Sequence, residues 1–128
     1  RAGELDWKVY RDRIAPILGP AEVAAMAAAI QKVRVDEAAM AYMRDLVLAT
    51  RNHGDIRLGA SSRASIALLR GSMARAALSG RTYVIPDDVR DLAHPALRHR
   101  LLLSREAAIA GITPDQIIGE ILESIGVS

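Results

Sequence analysis

Cysteine is absent from these 128 residues, and so is phenylalanine. Without cysteine there are no disulfides and no thiolate metal ligands, a usage that suits the cytoplasm. Aromatics make up only 3% of the chain, too few for a stacking platform of the kind that holds nucleic-acid bases. No apolar run approaches the roughly 18 residues of a membrane span. There is no initiator methionine and no signal-peptide pattern before Leu5, so the chain reads as a piece cut from a longer protein. No nucleophile–base pair stands out, which argues against an autonomous enzyme.

What is present is apolar and small. Hydrophobic residues are 51% of the sequence, much of it alanine, and this favours closely packed helices over a sheet core. The length allows one domain with one core. Charge is unevenly spread although the net is only +2. Between Ile56 and Pro86 there are five arginines (Arg57, Arg63, Arg70, Arg75, Arg81) and no acid. A basic centre with acidic flanks suits an anionic partner, and equally a solvated arginine face.

Helical periodicity accounts for most of the chain. Trp7, Tyr10 and Ile14 fall at helical spacing and suggest a short helix or strap before the breakers Pro16, Gly19 and Pro20. A helix is predicted over about Ala21 to Lys32, with Val23, Met26, Ala27 and Ile30 on one face. Asp36 then caps a second helix that runs to about Arg51, with Met40, Met43, Val47 and Thr50 on one face and Leu46 beside them. Asn52-His53-Gly54 stops it.

The third helix, about Ser61 to Leu78, opens the stretch around which the chain is organised. Ile66, Leu69, Met73 and Ala76 or Ala77 form its apolar face. Ser61 is placed to cap it through its hydroxyl, and Arg63 falls in the first turn. Free first-turn amides beside an arginine make a place for an anion, typically phosphate. An arginine lying on the surface along apolar neighbours would give the same pattern.

After Ser79-Gly80, Tyr83-Val84-Ile85 is a β-like triplet before a short helix opened by Pro86, Asp87 and Asp88, which Pro95 interrupts after His94 with room for a second turn to resume through His99. Leu101-Leu102-Leu103 pairs with that triplet as a tiny two-stranded element. Thr113, Pro114 and Gln116 form a capping box for the last helix, in which Ile117, Ile118, Ile121, Leu122 and Ile125 are buried. The expected fold is all-α, a small helical bundle carrying that small β element.

Other chemistry can be set aside. Gly54 to Ser61 nearly spells a phosphate-binding loop, but Ala60 stands where the lysine belongs, and a helix rather than a buried strand precedes it. No strand ending in paired acids is available for magnesium. His53, His94 and His99 lack ligand spacing, so no metal site is expected. Asp87-Asp88 is a capping charge, since neighbours on a helix point about 100° apart.

Gly59-Ala-Ser-Ser-Arg63-Ala64, then Tyr83-Val-Ile-Pro-Asp-Asp-Val89, Leu97-Arg-His-Arg-Leu101 and Gly111-Ile-Thr-Pro-Asp115 together resemble the C-terminal lid of MoxR-type AAA+ ATPases. The resemblance covers about Pro20 to Val127, and four ordered blocks are more specific than any one. It implies a strap leaving an ATPase core over residues 1–19 and a helical lid over 20–128. It also implies that Arg63 is the "sensor 2" arginine, catalytic only together with that core, with Ser61, Ser62 and Arg63 at the nucleotide. Ser62 departs from the family's usual proline, which loosens the helix start without removing the arginine.

ATP and magnesium would be bound by the parent protein, with none expected on this piece alone. The implied partners are the core domain of the same chain, neighbouring subunits of a homo-oligomeric ring, typically a hexamer, and proteins with von Willebrand factor A domains. The implied role is chaperone-like remodelling. Arg98, His99 and Arg100 are candidates for an interface with an acidic surface, or a solvated basic turn. The rival class is a small basic helical DNA-binding domain, motivated by a pI near 9.4. Scarce lysine in the basic window and an alanine- and leucine-rich third helix weigh against nucleic acid.

Overall fold

The computed structural model describes residue 9 and residues 11–126. Its order is α1 (Pro20–Ile30), α2 (Glu37–Asn52), β1 (Ile56–Leu58), α3 (Ser62–Leu78), α4 (Pro86–Leu97), a 3-10 turn (Arg98–Arg100), β2 (Leu102–Leu103), α5 (Arg105–Ile109) and α6 (Pro114–Ser124). The strap's Trp7 and Tyr10 lie outside the described residues. No described helix is long and apolar enough to cross a membrane.

Helices α2, α3, α4 and α6 surround one core. Leu46, Leu68, Leu97, Ile118 and Val89 are fully buried there, with Met43, Tyr42, Ile117 and Ile121 around them. The caps are those the sequence predicts at two helices. Asp36 accepts the Ala39 amide at 2.7 Å. Thr113 Oγ1 accepts the Gln116 amide at 3.2 Å, while Gln116 Oε1 accepts the Thr113 amide at 2.8 Å. Proline stands in the first turn of α1, α4 and α6, where its missing N–H is no loss.

Several expectations need correction. The two-stranded element pairs β2 with β1, antiparallel, Ile56 opposite Leu103 and Leu58 opposite Leu102. The Tyr83 triplet is already engaged elsewhere, because Arg34 donates to the Thr82 carbonyl (2.8 Å) and Val84 donates to that of Arg34 (3.0 Å). In α3 the buried line is Ala64, Leu68, Ser72 and Ala76, whereas Ile66 is 50% exposed. Small residues let α3 approach α4 closely, so the fully buried line lies beside the bulkier Leu69 and Met73 rather than on them.

The third correction concerns the interruption expected at Pro95: α4 runs unbroken through it to Leu97, and the further turn follows as the 3-10 segment. Proline removes one ladder bond, but Val89, Ala93 and Leu97 are all fully buried on one face and hold the helix together. Fourth, α1 buries none of its residues, and the expected inner Val23 and Met26 are about half exposed at 54% and 52%. In α2, likewise, Met40 faces out and Tyr42 in. Last, α5 is an additional helix, started by Ser104 Oγ accepting the Ala107 amide at 3.1 Å. It is too short for periodicity to reveal.

A hairpin-like clamp closes the α3–α4 corner. Arg81 lays its fork on Asp88, donating from NH1 to Oδ2 at 2.7 Å and from NH2 to Oδ1 at 2.6 Å. Asp88 also accepts the Ile85 amide at 2.9 Å and is only 2% exposed. Hydrogen bonding from Arg81 holds the Asp88 carboxyl below the usual carboxylate range, against the opposing effect of burial.

Candidate functional site

The stretch around Gly59 is shaped by the end of α2. Thr50 is fully buried, and its hydroxyl donates to the Val47 carbonyl at 2.7 Å while accepting the Ala60 amide at 3.0 Å. Arg51 Nε donates to the Ala60 carbonyl at 2.8 Å. One residue is therefore held on both its backbone polar groups by two successive side chains. Gly59 lies so close to α2 that a Cβ would stand 2.7 Å from Arg51 Cα, Arg51 N and the Thr50 carbonyl oxygen. Glycine is required there by proximity, with no unusual φ.

This anchored turn delivers Ser61 to the N-cap of α3 and Arg63 to its first turn. The expected cap through the Ser61 side chain is not formed. Ala64 donates instead to the Ser61 carbonyl at 2.9 Å, tightening the first turn in the 3-10 manner. The amides of Ser62 and Arg63 have no acceptor among the described residues, and Ser61, Ser62 and Arg63 are all exposed. Such an end carries partial positive charge.

A depression of about 610 Å³ opens there, and four of its lining residues are Arg51, Arg57, Arg63 and Arg100. No Asp or Glu is among the lining residues, which otherwise are Leu58, Gly59, Ala60 and Ser61. Of the five arginines in the basic window, Arg75 and Arg81 turn to α4, paired with Asp91 and Asp88. Of the other three, Arg57 and Arg63 line the depression at the α3 start, joined there by Arg51 and Arg100, while Arg70 is exposed two turns along the helix. Chemically, the arrangement suits an extended anion bearing several negative oxygens.

The comparisons with known proteins agree with this architecture. The family model described as the AAA lid domain matches residues 48–121. This chain is an AAA lid domain. It is 36% identical over 116 residues to the uncharacterized protein YeaC of Bacillus subtilis, covering 91% of this chain and 36% of that protein. It is 33% identical over 100 residues to the chaperone MoxR1 of Mycobacterium tuberculosis, covering 71% of this chain and 26% of that protein. A crystal structure of an inferred ATPase from Cytophaga hutchinsonii superposes with a TM-score of 0.81 at 35% identity, over 84% of this chain and 36% of that one. The lid is of the MoxR type, and it spans about a third or less of these relatives' lengths.

Within the lid, the Arg98-His99-Arg100 block does not act as one patch. Arg98 Nε donates to the His94 carbonyl at 3.2 Å and lies 3.3 Å from Asp115 on α6. His99 is exposed, and Arg100 turns to the Arg63 depression. Two histidines tie α6 to the bundle: His94 Nδ1 lies 2.8 Å from Asp115 Oδ1, and His53 Nε2 lies 3.5 Å from Glu120 Oε2. Among the described residues no three His, Asp or Glu side chains gather into a cation cluster. Thr50, Arg51 and Arg57 were not legible as site residues. Thr50 reads as core, and Arg51 and Arg57 reach the site only through the turn that folds β1 back on α2.

Proposed function

We propose that this lid senses nucleotide for a MoxR-type AAA+ ATPase, closing over ATP held by a core domain elsewhere in the same protein. Arg63 acts as the sensor 2 residue. It approaches the terminal phosphate on closure, with the free Ser62 and Arg63 amides beside it. The carrying observation is the exposed first turn of α3, set in a depression lined by four arginines and no carboxylate. ATP supplies the transferable phosphoryl group; magnesium would be held by the core. This chain's part is to orient the phosphates, to stabilise charge on them, and to pass the lid position to neighbouring subunits of a ring. Chaperone-like remodelling, with partners bearing von Willebrand factor A domains, is the corresponding role of the whole protein.

The test is hydrolysis by the full-length protein. Arg63→Ala should lower turnover at least about tenfold, since arginines on a transferring phosphoryl group contribute factors up to about 10³ or more. Arg63→Lys should rescue poorly, because a lysine point charge lacks the planar fork. Arg70 lies on the same helix seven residues on, roughly 10 Å along the axis, and is exposed. Arg70→Ala should be much milder. Equal losses for Arg63→Ala and Arg70→Ala, or an inert Arg63→Ala, would refute the sensor role.

A further inference from the structure

The four guanidinium groups at the depression are not equivalent. Arg51 commits its Nε to the Ala60 carbonyl at 2.8 Å. Arg57 and Arg63 are exposed, so water can satisfy their heads. Arg100 is partly buried, and its Nε is shielded from solvent without an acceptor among the described residues. A charged N–H held out of water with no acceptor is costly, and folded proteins leave few such groups. Arg98 on the same 3-10 turn shows the ordinary alternative, with its Nε on the His94 carbonyl and against Asp115.

Placement adds a second reason. Arg63 comes from the start of α3, whereas Arg100 comes from the turn between α4 and β2. The pairing of β2 with β1 brings that turn alongside the Gly59 stretch. Two cations from separate parts of the chain thus meet at one depression with no lining acid to neutralise them. Mutual repulsion of this kind is relieved by an anion broad enough to meet both. A single carboxylate is small for a space of about 610 Å³. A chain of phosphates, each offering oxygens to a planar fork, suits it better.

We propose that Arg100 is a second phosphate-binding arginine of this site, gripping from the α4 side the same nucleotide polyphosphate that Arg63 meets from the α3 side. The proposal rests on the nucleotide-lid reading above. On lid closure the buried Nε gains its missing acceptor, and the α4 end of the domain becomes tied to the phosphates through a residue other than Arg63.

The experiment uses the full-length protein with Arg63→Ala, Arg100→Met, Arg100→Lys and the Arg63→Ala/Arg100→Met double variant. ATP and ADP affinities are measured by calorimetry, and melting is followed without nucleotide. Arg100→Met keeps the aliphatic stem, so the nucleotide-free melting temperature should hold. ATP binding should weaken about 10- to 100-fold, as for the loss of a charged hydrogen bond, and ADP binding by less. Arg100→Lys should recover only part, because a lysine point charge lacks the planar fork and its Nε donor. The double variant should lose less than the product of the single losses, the mark of two groups on one ligand.

Should Arg100→Met melt early, the ATP-to-ADP affinity ratio of Arg100→Lys carries the test, and that ratio must still fall. Wild-type ATP affinity in a folded Arg100→Met, beside a weakened Arg63→Ala, would overturn the Arg100 role and leave the lid reading standing. A weakened Arg100→Met beside an unaffected Arg63→Ala would overturn the shared grip, while the sensor reading stands or falls on turnover. Unchanged affinity in both would overturn the Arg100 role and the shared grip, and unchanged turnover in Arg63→Ala beside it would overturn the lid reading as well.

Discussion

The Thr50 hydroxyl accepts the Ala60 amide at 3.0 Å across ten residues, joining the end of α2 to the turn that carries Arg63. Both residues are buried, so no water can replace the bond. Thr50→Val keeps the shape and removes the acceptor. Leaving the Ala60 N–H unsatisfied should cost about 1–3 kcal/mol in urea unfolding. Thr50→Ser keeps the hydroxyl and should cost less. A Thr50→Val domain as stable as the original would show that the turn is held by other contacts.

Asp88 should give the fold its acid sensitivity. Its folded pKa is depressed, chiefly by hydrogen bonds from Arg81. Its contribution is therefore complete above the unfolded carboxylate value of about 4, and is lost as pH falls through the lower folded value. Arg81 is shifted upward by the same hydrogen bonds, so its side of the pair fails only in strong alkali. Asp88→Asn should lower stability at pH 7 by roughly 2–3 kcal/mol, as for a hydrogen bond to a charged group. It should also flatten the decline below pH 4. Thermal unfolding at intervals from pH 7 to pH 2 checks this, and parallel curves for the two proteins would refute it.

The last helix offers a smaller and cleaner measurement. Thr113 and Gln116 satisfy each other's backbone amides at the start of α6. Thr113→Ala should cost roughly 1 kcal/mol, the usual loss at such a cap. The helix should remain docked, because Ile117, Ile118, Ile121 and Leu122 are buried. Urea midpoints with an unchanged slope would report a simple stability loss. No change at all would mean that the helix starts elsewhere.

Much of this was legible in the residues, for reasons that differ by element. The caps at Asp36 and Thr113 read correctly because each is a local event, completed within four residues. The first-turn position of Arg63 was legible from a local signal too, a glycine and two serines before a helix. The β1–β2 pairing was not legible, since Leu102 could meet either short segment and only tertiary packing decides. The core line of α3 was displaced for a similar reason. Ser72 and Ala64 are fully buried although neither is strongly apolar, because closeness to a neighbouring helix outweighs side-chain hydropathy there. Arg100 lines the Arg63 depression only because β2 returns to β1, which local sequence cannot show.

Two glycines should respond oppositely to the same substitution, and the contrast tests how the Arg63 turn is held. At Gly59 a new Cβ would meet three backbone atoms at 2.7 Å, all belonging to Thr50 or Arg51. Backbone inside a packed helix end cannot withdraw, so the turn itself must move. That displacement should break the Thr50 and Arg51 contacts to Ala60 and cost about 1–3 kcal/mol or more. At Gly71 the nearest atom is Leu92 Cδ1 at 2.8 Å, the far end of a flexible side chain. Alanine there also gains roughly 0.5–1 kcal/mol over glycine within a helix, which offsets the shift of Leu92. Gly71→Ala should therefore stay within about 1 kcal/mol of the original. In the full-length protein the difference should carry through to chemistry, with Gly59→Ala lowering ATP affinity through a misplaced Arg63 and Gly71→Ala leaving it unchanged. Equal stability of the two variants, or equal ATP affinity, would mean that the turn is not fixed by its contact with α2.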